Sequence, residues 1–294
     1  MDRILTFTID PRSEGMRLLD YLRAEGFSRH ILSRMKADPD AILHNGIRGF
    51  GKTILKAGDR LMIHIPEDEP SSNILPVPMD LDIIYEDDDI IVVNKPADMP
   101  VHPSMGNHEN TLANGVAAYY QKKGETFVYR CINRLDRDTS GVLVLAKNPY
   151  SAAGLSDQMR ARQIHRTYLA IVDGIPPEKG TIDAPIARMD DSAITREVNF
   201  ERGEPAVTHF ERLDVKSNSS LIELHLETGR THQIRVHMKY AGYPLLGDFL
   251  YHPVFDRISR QALHSFQLEF THPVTKAPLR FLAPVPCDFK KAFS

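Results

Sequence analysis

Val142-Leu143-Val144-Leu145-Ala146 is an unbroken apolar run between Gly141 and Asn148-Pro149. It reads as a strand covered on both faces, because a half-exposed strand alternates apolar with polar positions. Elsewhere the chain does alternate, or follows helical spacing. Residues 4–9 predict a strand, and Arg17–Glu25 and Ser28–Lys36 predict helices with Leu18, Leu22, Ile31, Leu32 and Met35 inward and Ser28 as an N-cap. Ala41–His44, an Asn45-Gly46 turn, Gly58-Asp59 and the alternating Leu61–Ile65 come next as strands and tight turns. Further on, strands are predicted at Leu81–Tyr85, Ile90–Val93, Arg166–Val172, Val207–Asp214, Leu221–Glu227, Leu263–Phe270 and Leu279–Ala283. Helices are predicted from Thr111 to about Lys122, from a Ser151 cap to about Arg162, and from Thr231 with Ile234, Met238 and Ala241 inward. Strands and helices mix without regular βαβ alternation, which predicts an α+β fold around a largely antiparallel central sheet with flanking helices, plus a small N-terminal α/β module.

Residues 66–79 carry Pro66, Pro70, Pro76 and Pro78 among Glu, Asp and Ser, a composition that reads as a linker. The expected organisation is a module at 1–65, the linker at 66–79 and a larger domain at 80–294. At 294 residues and 42% hydrophobic, the chain can build such a large core beside a small one. Its net charge of −3 hides segregation: residues 1–65 hold 11 basic and 8 acidic groups, 66–98 hold 1 and 10, and 99–294 hold 24 and 21. An acidic total therefore leaves room for a basic face that binds nucleic acid, since only local potential matters within a Debye length. No window approaches the roughly 18 apolar residues of a membrane span, and the start lacks an apolar signal core, so a cytoplasmic protein is expected. Cys131 and Cys287 are too few and too isolated for a disulfide framework or a metal site.

The chemistry concentrates ahead of the apolar run, in Asn133-Arg134-Leu135-Asp136-Arg137-Asp138-Thr139-Ser140-Gly141. Asp138, Thr139 and Ser140 read as local caps of a tight turn, with Gly141 at a left-handed position. That reading leaves Arg134 and Asp136 unexplained, since a charge beside a core strand is costly unless paired or used. Arg160, Arg162, His165 and Arg166 place four basic groups within seven residues, more than a helix dipole requires, and suggest an edge that meets phosphates. Gly46-Ile47-Arg48-Gly49-Phe50-Gly51-Lys52-Thr53 satisfies the phosphate-loop pattern by letter. The segment after Thr53 is broken by Gly58-Asp59, with no helix to face a phosphate, so nucleotide binding is not expected. The acids Glu86–Asp89 read as a solvated hairpin tip. His232 and His237, five apart, lack the spacing of a zinc pair, so no metal is expected.

Arg-Leu-Asp-x-x-Thr-Ser-Gly before an apolar strand and Ala-Lys-Asn resembles the signature of the RluA-type RNA pseudouridine synthases. Arg166-Thr167-Tyr168, the stretch Gly229–His237, Lys95-Pro96 and Val101-His102-Pro103 match the same family in its order, over about residues 80–285. One departure is Asn133, where the family usually has His. The N-terminal pattern resembles the S-four-like RNA-binding module that members often carry, although Asp38-Pro39-Asp40 stands where they turn more tightly.

The resemblance implies an enzyme that isomerises uridines of structured RNA to pseudouridine, ribosomal RNA first and transfer RNA second. It implies Asp136 as the catalytic carboxylate. Burial penalises an ionised carboxylate, and Arg235 is the candidate countercharge. Tyr168 would offer a flat face and a phenol, and Leu263 an apolar wall. Arg134 would enter the space left by an extruded base. Lys95 and His102 are expected at the rim of the site, and Arg29 and Arg34 as RNA contacts on the basic helix of the module. An isomerisation imports neither electrons nor groups, so no cofactor is expected; the partner is RNA, with no membrane and no nucleotide cofactor, and the protein is expected to be a monomer. The rival is a non-catalytic RNA-binding or ribosome-assembly protein, against which the presence of Asp136, Tyr168 and Arg235 together argues.

Overall fold

The computed structural model describes residues 2–67, 69–70, 73–104, 106 and 108–294; Asp68, Ser71 and Ser72 of the expected linker lie outside the described residues. The N-terminal part consists of β1 (Arg3–Thr8), α1 (Leu18–Ala24), α2 (Arg29–Met35), β2 (Ile42–His44), β3 (Ile47–Arg48) and β4 (Arg60–Ile65). Its strands form an antiparallel sheet in the order β1-β4-β2-β3. Asn45 and Gly46 both take positive φ (52° and 81°), the twist that a two-residue hairpin needs. Ser28 caps α2 by accepting from the Ile31 N–H at 3.3 Å. Residues 54–59 are not helical and lead into β4, so the phosphate-loop pattern has no helix N-terminus to offer.

The larger part runs β5 (Asp82–Glu86), β6 (Ile90–Lys95), α3 (Leu112–Lys123), β7 (Ser140–Ala146), α4 (Pro149–Arg160), β8 (His165–Asp173), β9 (Lys179–Asp183), β10 (Ile186–Arg188), β11 (Arg196–Val198), β12 (Val207–Lys216), β13 (Ser219–Leu226), α5 (Gln233–Tyr240), β14 (Leu263–Thr271), β15 (Pro278–Leu282) and α6 (Cys287–Ala292). Nine strands form one sheet in the order β5-β6-β7-β14-β8-β13-β12-β9, with β15 also on β14, while β10 and β11 form a separate ribbon. The fold is α+β, as the mixed pattern requires. Within the large sheet the pairing is antiparallel except between β7 and β14, which run parallel at Ser140–His264 and Gly141–Ser265. The two backbones come so close there that a Cβ on Gly141, at φ 116°, would lie 2.1 Å from the Ser265 carbonyl oxygen. Only glycine fits. As the apolar run predicts, β7 is buried throughout.

Three local expectations are corrected. The cap of α4 is Asn148, not Ser151: its side chain accepts the Ser151 N–H at 2.8 Å, and Pro149 supplies the preset first helical residue. The hydroxyls at 139–140 do not close a local turn. Ser140 Oγ reaches His264 Nδ1 at 2.9 Å and Thr139 Oγ1 accepts from Gln261 at 3.4 Å, so both tie β7 to the β14 region. Of the acids 86–89, Asp88 alone is solvated and the other three are tied into the structure. Glu86 accepts from Tyr119 (2.6 Å), Tyr120 (3.0 Å), Lys123 and Lys147. Asp87 binds Tyr85 and His272, and Asp89 is buried and takes both Arg3 Nε and Nη2 at 2.9 Å.

That Arg3–Asp89 pair also joins the two sheets. Tyr150 of α4 inserts into the N-terminal core, its ring 4.7 Å from Phe27 and its hydroxyl donating to the Glu25 carbonyl at 2.6 Å. The end of the Pro-rich segment is pinned as well, since Asn114 Nδ2 donates to Leu75 O at 2.7 Å and Val77 N to Asn114 O at 3.1 Å.

Candidate active site

The loop before β7 is held on both sides of Asp136 by buried groups. Asn133 accepts the Val144 N–H at 3.0 Å, so the departure from the expected His has a backbone-capping role; its Nδ2 is buried without a partner. Lys95 is 0% exposed and donates to the carbonyls of Pro96, Met99 and Arg137 at 2.7–2.8 Å. Arg260, also buried, donates to the Asp138 carbonyl at 3.1 Å and pairs with Asp288. Leu135 is buried, while Arg134 projects outward and Asp136 is half-buried.

Asp136 Oδ2 accepts from Arg235 Nη1 at 3.0 Å. Arg235 is 2% exposed and its other edge is taken by Asp248, with Nε–Oδ2 at 2.7 Å and Nη2–Oδ1 at 2.8 Å. A single guanidinium thus stands between two carboxylates, over the rings of Phe249 and Tyr251 at 5.5 and 5.1 Å. Burial opposes the charge on Arg235, but Asp248 and Asp136 outweigh it and raise its pKa. Helix α5 delivers this side chain from a face about a quarter turn round from Ile234 and Met238, which pack in the core.

His232, just before α5, has φ 58°, a conformation uncommon for a side chain with a Cβ. Its Nε2 lies 3.9 Å from Asp136 Oδ2 and its Nδ1 3.0 Å from Tyr251 Oη. The Tyr251 oxygen already accepts the Arg196 N–H at 2.9 Å, which leaves its own proton to be donated to Nδ1. Burial lowers the His232 pKa and favours the neutral ring, and a Tyr251 hydroxyl that donates to Nδ1 places the ring proton on Nε2, turned toward Asp136.

Asp136, Arg235 and His232 line a cavity of about 830 Å³ together with Tyr168, Leu263, Arg134, His102 and Arg166. Tyr168 is buried on β8, where burial raises its pKa, and it sits opposite Ser265 in the register with β14. Of the site residues read from the sequence, Asp136, Tyr168, Arg235, Arg134, Leu263 and His102 therefore meet in one cavity. Lys95 does not: it is a clamp beneath the loop, corrected from a substrate contact because its ammonium is enclosed by carbonyl oxygens. Arg29 is exposed on α2, and Arg34 there donates to the Glu67 carbonyl at 3.1 Å; neither lines the cavity. Asp248, His232 and Tyr251 were not found by sequence. Asp248 comes directly after a positive-φ glycine (Gly247, φ 66°) in a segment without periodicity, and nothing local marks its partner.

A carboxylate, an aromatic ring and an aliphatic side chain thus share one cavity beneath a rim of arginines. Residues 89–240 match the family described as RNA pseudouridylate synthase. An uncharacterized RNA pseudouridine synthase of Bacillus subtilis, YjbO, is 40% identical over 94% of this chain and 98% of its own length. Ribosomal large subunit pseudouridine synthase D of Neisseria meningitidis is 39% identical over 84% of this chain and 70% of that protein. Among solved structures, human RNA pseudouridylate synthase domain containing 1 superposes with a TM-score of 0.59 at 28% identity, covering 74% of this chain and 86% of that one. The chain belongs to the RNA pseudouridylate synthase family, isomerases that act on RNA.

Proposed function

We propose that this protein converts specific uridines of structured RNA, ribosomal RNA first and transfer RNA second, to pseudouridine, with Asp136 as the catalytic carboxylate. In the net reaction the C1′–N1 bond breaks and a C1′–C5 bond forms; C5 loses its proton and N1 gains one. No electrons or groups are imported, so the reading needs no cofactor. Asp136 would attack the ribose or the base, or move the proton, and Arg235 would stand beside it as its countercharge. Tyr168 would stack on the uracil and Leu263 would close its other side. Arg134, exposed beside Asp136, would fill the space that an extruded base leaves. Residues 1–65, with Arg29 and Arg34, would act as an S-four-like RNA-binding module, joined by 66–79 to a catalytic domain at 80–294, in a cytoplasmic monomer.

One observation carries the reading: Asp136 and Arg235, 99 residues apart, meet at 3.0 Å in the wall of the cavity that Tyr168 also lines. The ribosomal target draws support from the names of relatives such as pseudouridine synthase D. The test is chemical mapping of pseudouridine in ribosomal and transfer RNA from cells that carry the wild-type chain, no chain, or Asp136→Asn. Sites that vanish without the chain should stay absent with Asp136→Asn and return with Asp214→Asn, whose carboxylate lies outside the cavity. Full modification by Asp136→Asn would remove the assignment.

A further inference from the structure

A second cavity, of about 500 Å³, adjoins the first and shares Arg134, Gly229, Arg230 and Thr231 with it. Five arginines line it, Arg134, Arg188, Arg196, Arg202 and Arg230, against one lining acid, Glu204. Glu204 is engaged by Arg230, and Arg202 is paired with Asp190 and Glu197. Among the described residues, no acid stands within ion-pair distance of Arg134, Arg188 or Arg196. The cavity is therefore left with uncompensated positive charge that the paired arginines do not supply.

The β10–β11 ribbon adds an independent sign. Its antiparallel register sets Arg188 directly opposite Arg196. Like charges directly across a strand pair are destabilising, and the bridge that ties the ribbon to Glu204 is made at Ile186, not at the arginine pair. The ribbon is nevertheless firmly seated. Ile186 is buried with Ala206, Val236 and Tyr251, and the Arg196 N–H is held by Tyr251 Oη at 2.9 Å. Cations are thus presented on a rigid support, where binding an anion orders little that is not already ordered.

We infer that this arginine groove is a phosphodiester subsite, which grips the RNA backbone next to the target uridine and sets the path of the strand as it leaves the catalytic cavity. The inference rests on the proposed function and adds to it the segment of substrate held outside the catalytic cavity. Phosphate is the fitting ligand because guanidinium forks match its oxygens in pairs, and because the groove continues from the catalytic cavity through Arg134. A chain whose base lies beside Asp136 must carry its next phosphates across such a rim.

The test compares the full-length wild type with Arg188→Ala, Arg196→Ala, the double variant and Arg280→Ala, an exposed arginine outside the groove. Filter binding of purified ribosomal RNA is measured over a salt series, alongside pseudouridine formation. Each groove substitution should flatten the plot of log affinity against log salt by about 0.7 to 1. The double variant should raise the KM for RNA by about tenfold, with a smaller change in kcat, while Arg280→Ala behaves as wild type. Arg188→Ala should leave the melting temperature unchanged or higher, since it removes a like-charge contact; a purely structural arginine would lower it. An unchanged salt slope in the double variant would overturn the inference, as would equal competition by polyaspartate and by an RNA oligonucleotide. The two readings fail separately. A wild type that forms no pseudouridine but shows the slope change refutes the proposed function alone, and an active wild type whose double variant binds normally refutes only the subsite.

Discussion

Asp248→Asn should damage both stability and turnover, and the structure sets how much. Asp248 holds Nε and Nη2 of Arg235 at 2.7 and 2.8 Å with both residues buried, leaving only Nη1 for Asp136 at 3.0 Å. In the asparagine variant one of those two contacts becomes an amide N–H facing a guanidinium N–H, donor against donor. Breaking one partner of a buried charge pair costs about 3–5 kcal/mol, because the remaining charge stays desolvated. For a chain of this size that is a fall in melting temperature of about 6–20 °C. Turnover should suffer as well. Without Asp248 to share it, the guanidinium fork is free to turn onto Asp136 and engage both of its oxygens, which ties up the carboxylate proposed to carry the reaction. A loss of at least about tenfold in kcat at saturating RNA is expected, equivalent to about 1.4 kcal/mol of barrier. Thermal unfolding and single-turnover pseudouridine formation read the two effects separately. A melting shift under about 2 °C with normal turnover would show that Arg235 does not depend on Asp248.

Three further outcomes rest on buried groups. Burial lowers the His264 pKa to about 4 from 6.5, so the unfolded chain takes up the proton first; stability should be full above pH 6.5 and fall by about 3 kcal/mol as pH drops from 6.5 to 4. Denaturant titrations across that range should show the slope in the wild type and less of it in His264→Gln. Burial likewise pulls the Lys95 pKa down to about 7, yet its three carbonyl partners are placed for an ammonium. Lys95→Met should orphan those oxygens and cost about 3 kcal/mol or more, and by loosening the Asp136 loop it should lower kcat further than it raises the KM for RNA. An unaltered melting curve would contradict the clamp. Tyr251→Phe removes the donor to His232 Nδ1, so the ¹⁵N resonances of that ring should report a mixed tautomer and kcat should fall several-fold. Unchanged His232 resonances would show that Tyr251 does not set the proton's position.

How far the sequence could be read depended on whether partners lay near one another in the chain. Hairpins and most helix starts were legible because turn and side chain are neighbours: Asn45-Gly46 takes the expected positive φ, and Thr111 opens α3, although the start of α4 was placed three residues late. Asp136, Tyr168 and Arg235 were legible through motifs, each with a spacing of its own, and the sheet brings them to one cavity. What failed were inferences about charge made without partners. Glu86 to Asp89 look solvated in a linear string. Their partners are Arg3, Tyr119, Tyr120, Lys123, Lys147 and His272, spread across most of the chain. Lys95 failed for the same reason, since a lysine next to proline in a loop gives no sign that three backbone carbonyls will enclose it.

Those misread charges share a physical logic with the site itself. A carboxylate that must stay reactive cannot be saturated with partners, so its position has to be fixed by other means. Here the fixing falls to its neighbours in sequence: Asn133 through its side chain, and Arg137 and Asp138 through carbonyls held by Lys95 and Arg260. Asp136 itself keeps only one short bond, to an arginine whose remaining valence is spent on Asp248. Lys95, Arg235, Asp248 and Arg260 are buried with their partners, whereas Asp136 is left partly open toward the cavity, with 25% of its side chain exposed. On the proposed role of Asp136, the stability cost of burying Lys95, Arg235, Asp248 and Arg260 is tied to the reaction, since each of them limits how far that carboxylate can move without using up its oxygens.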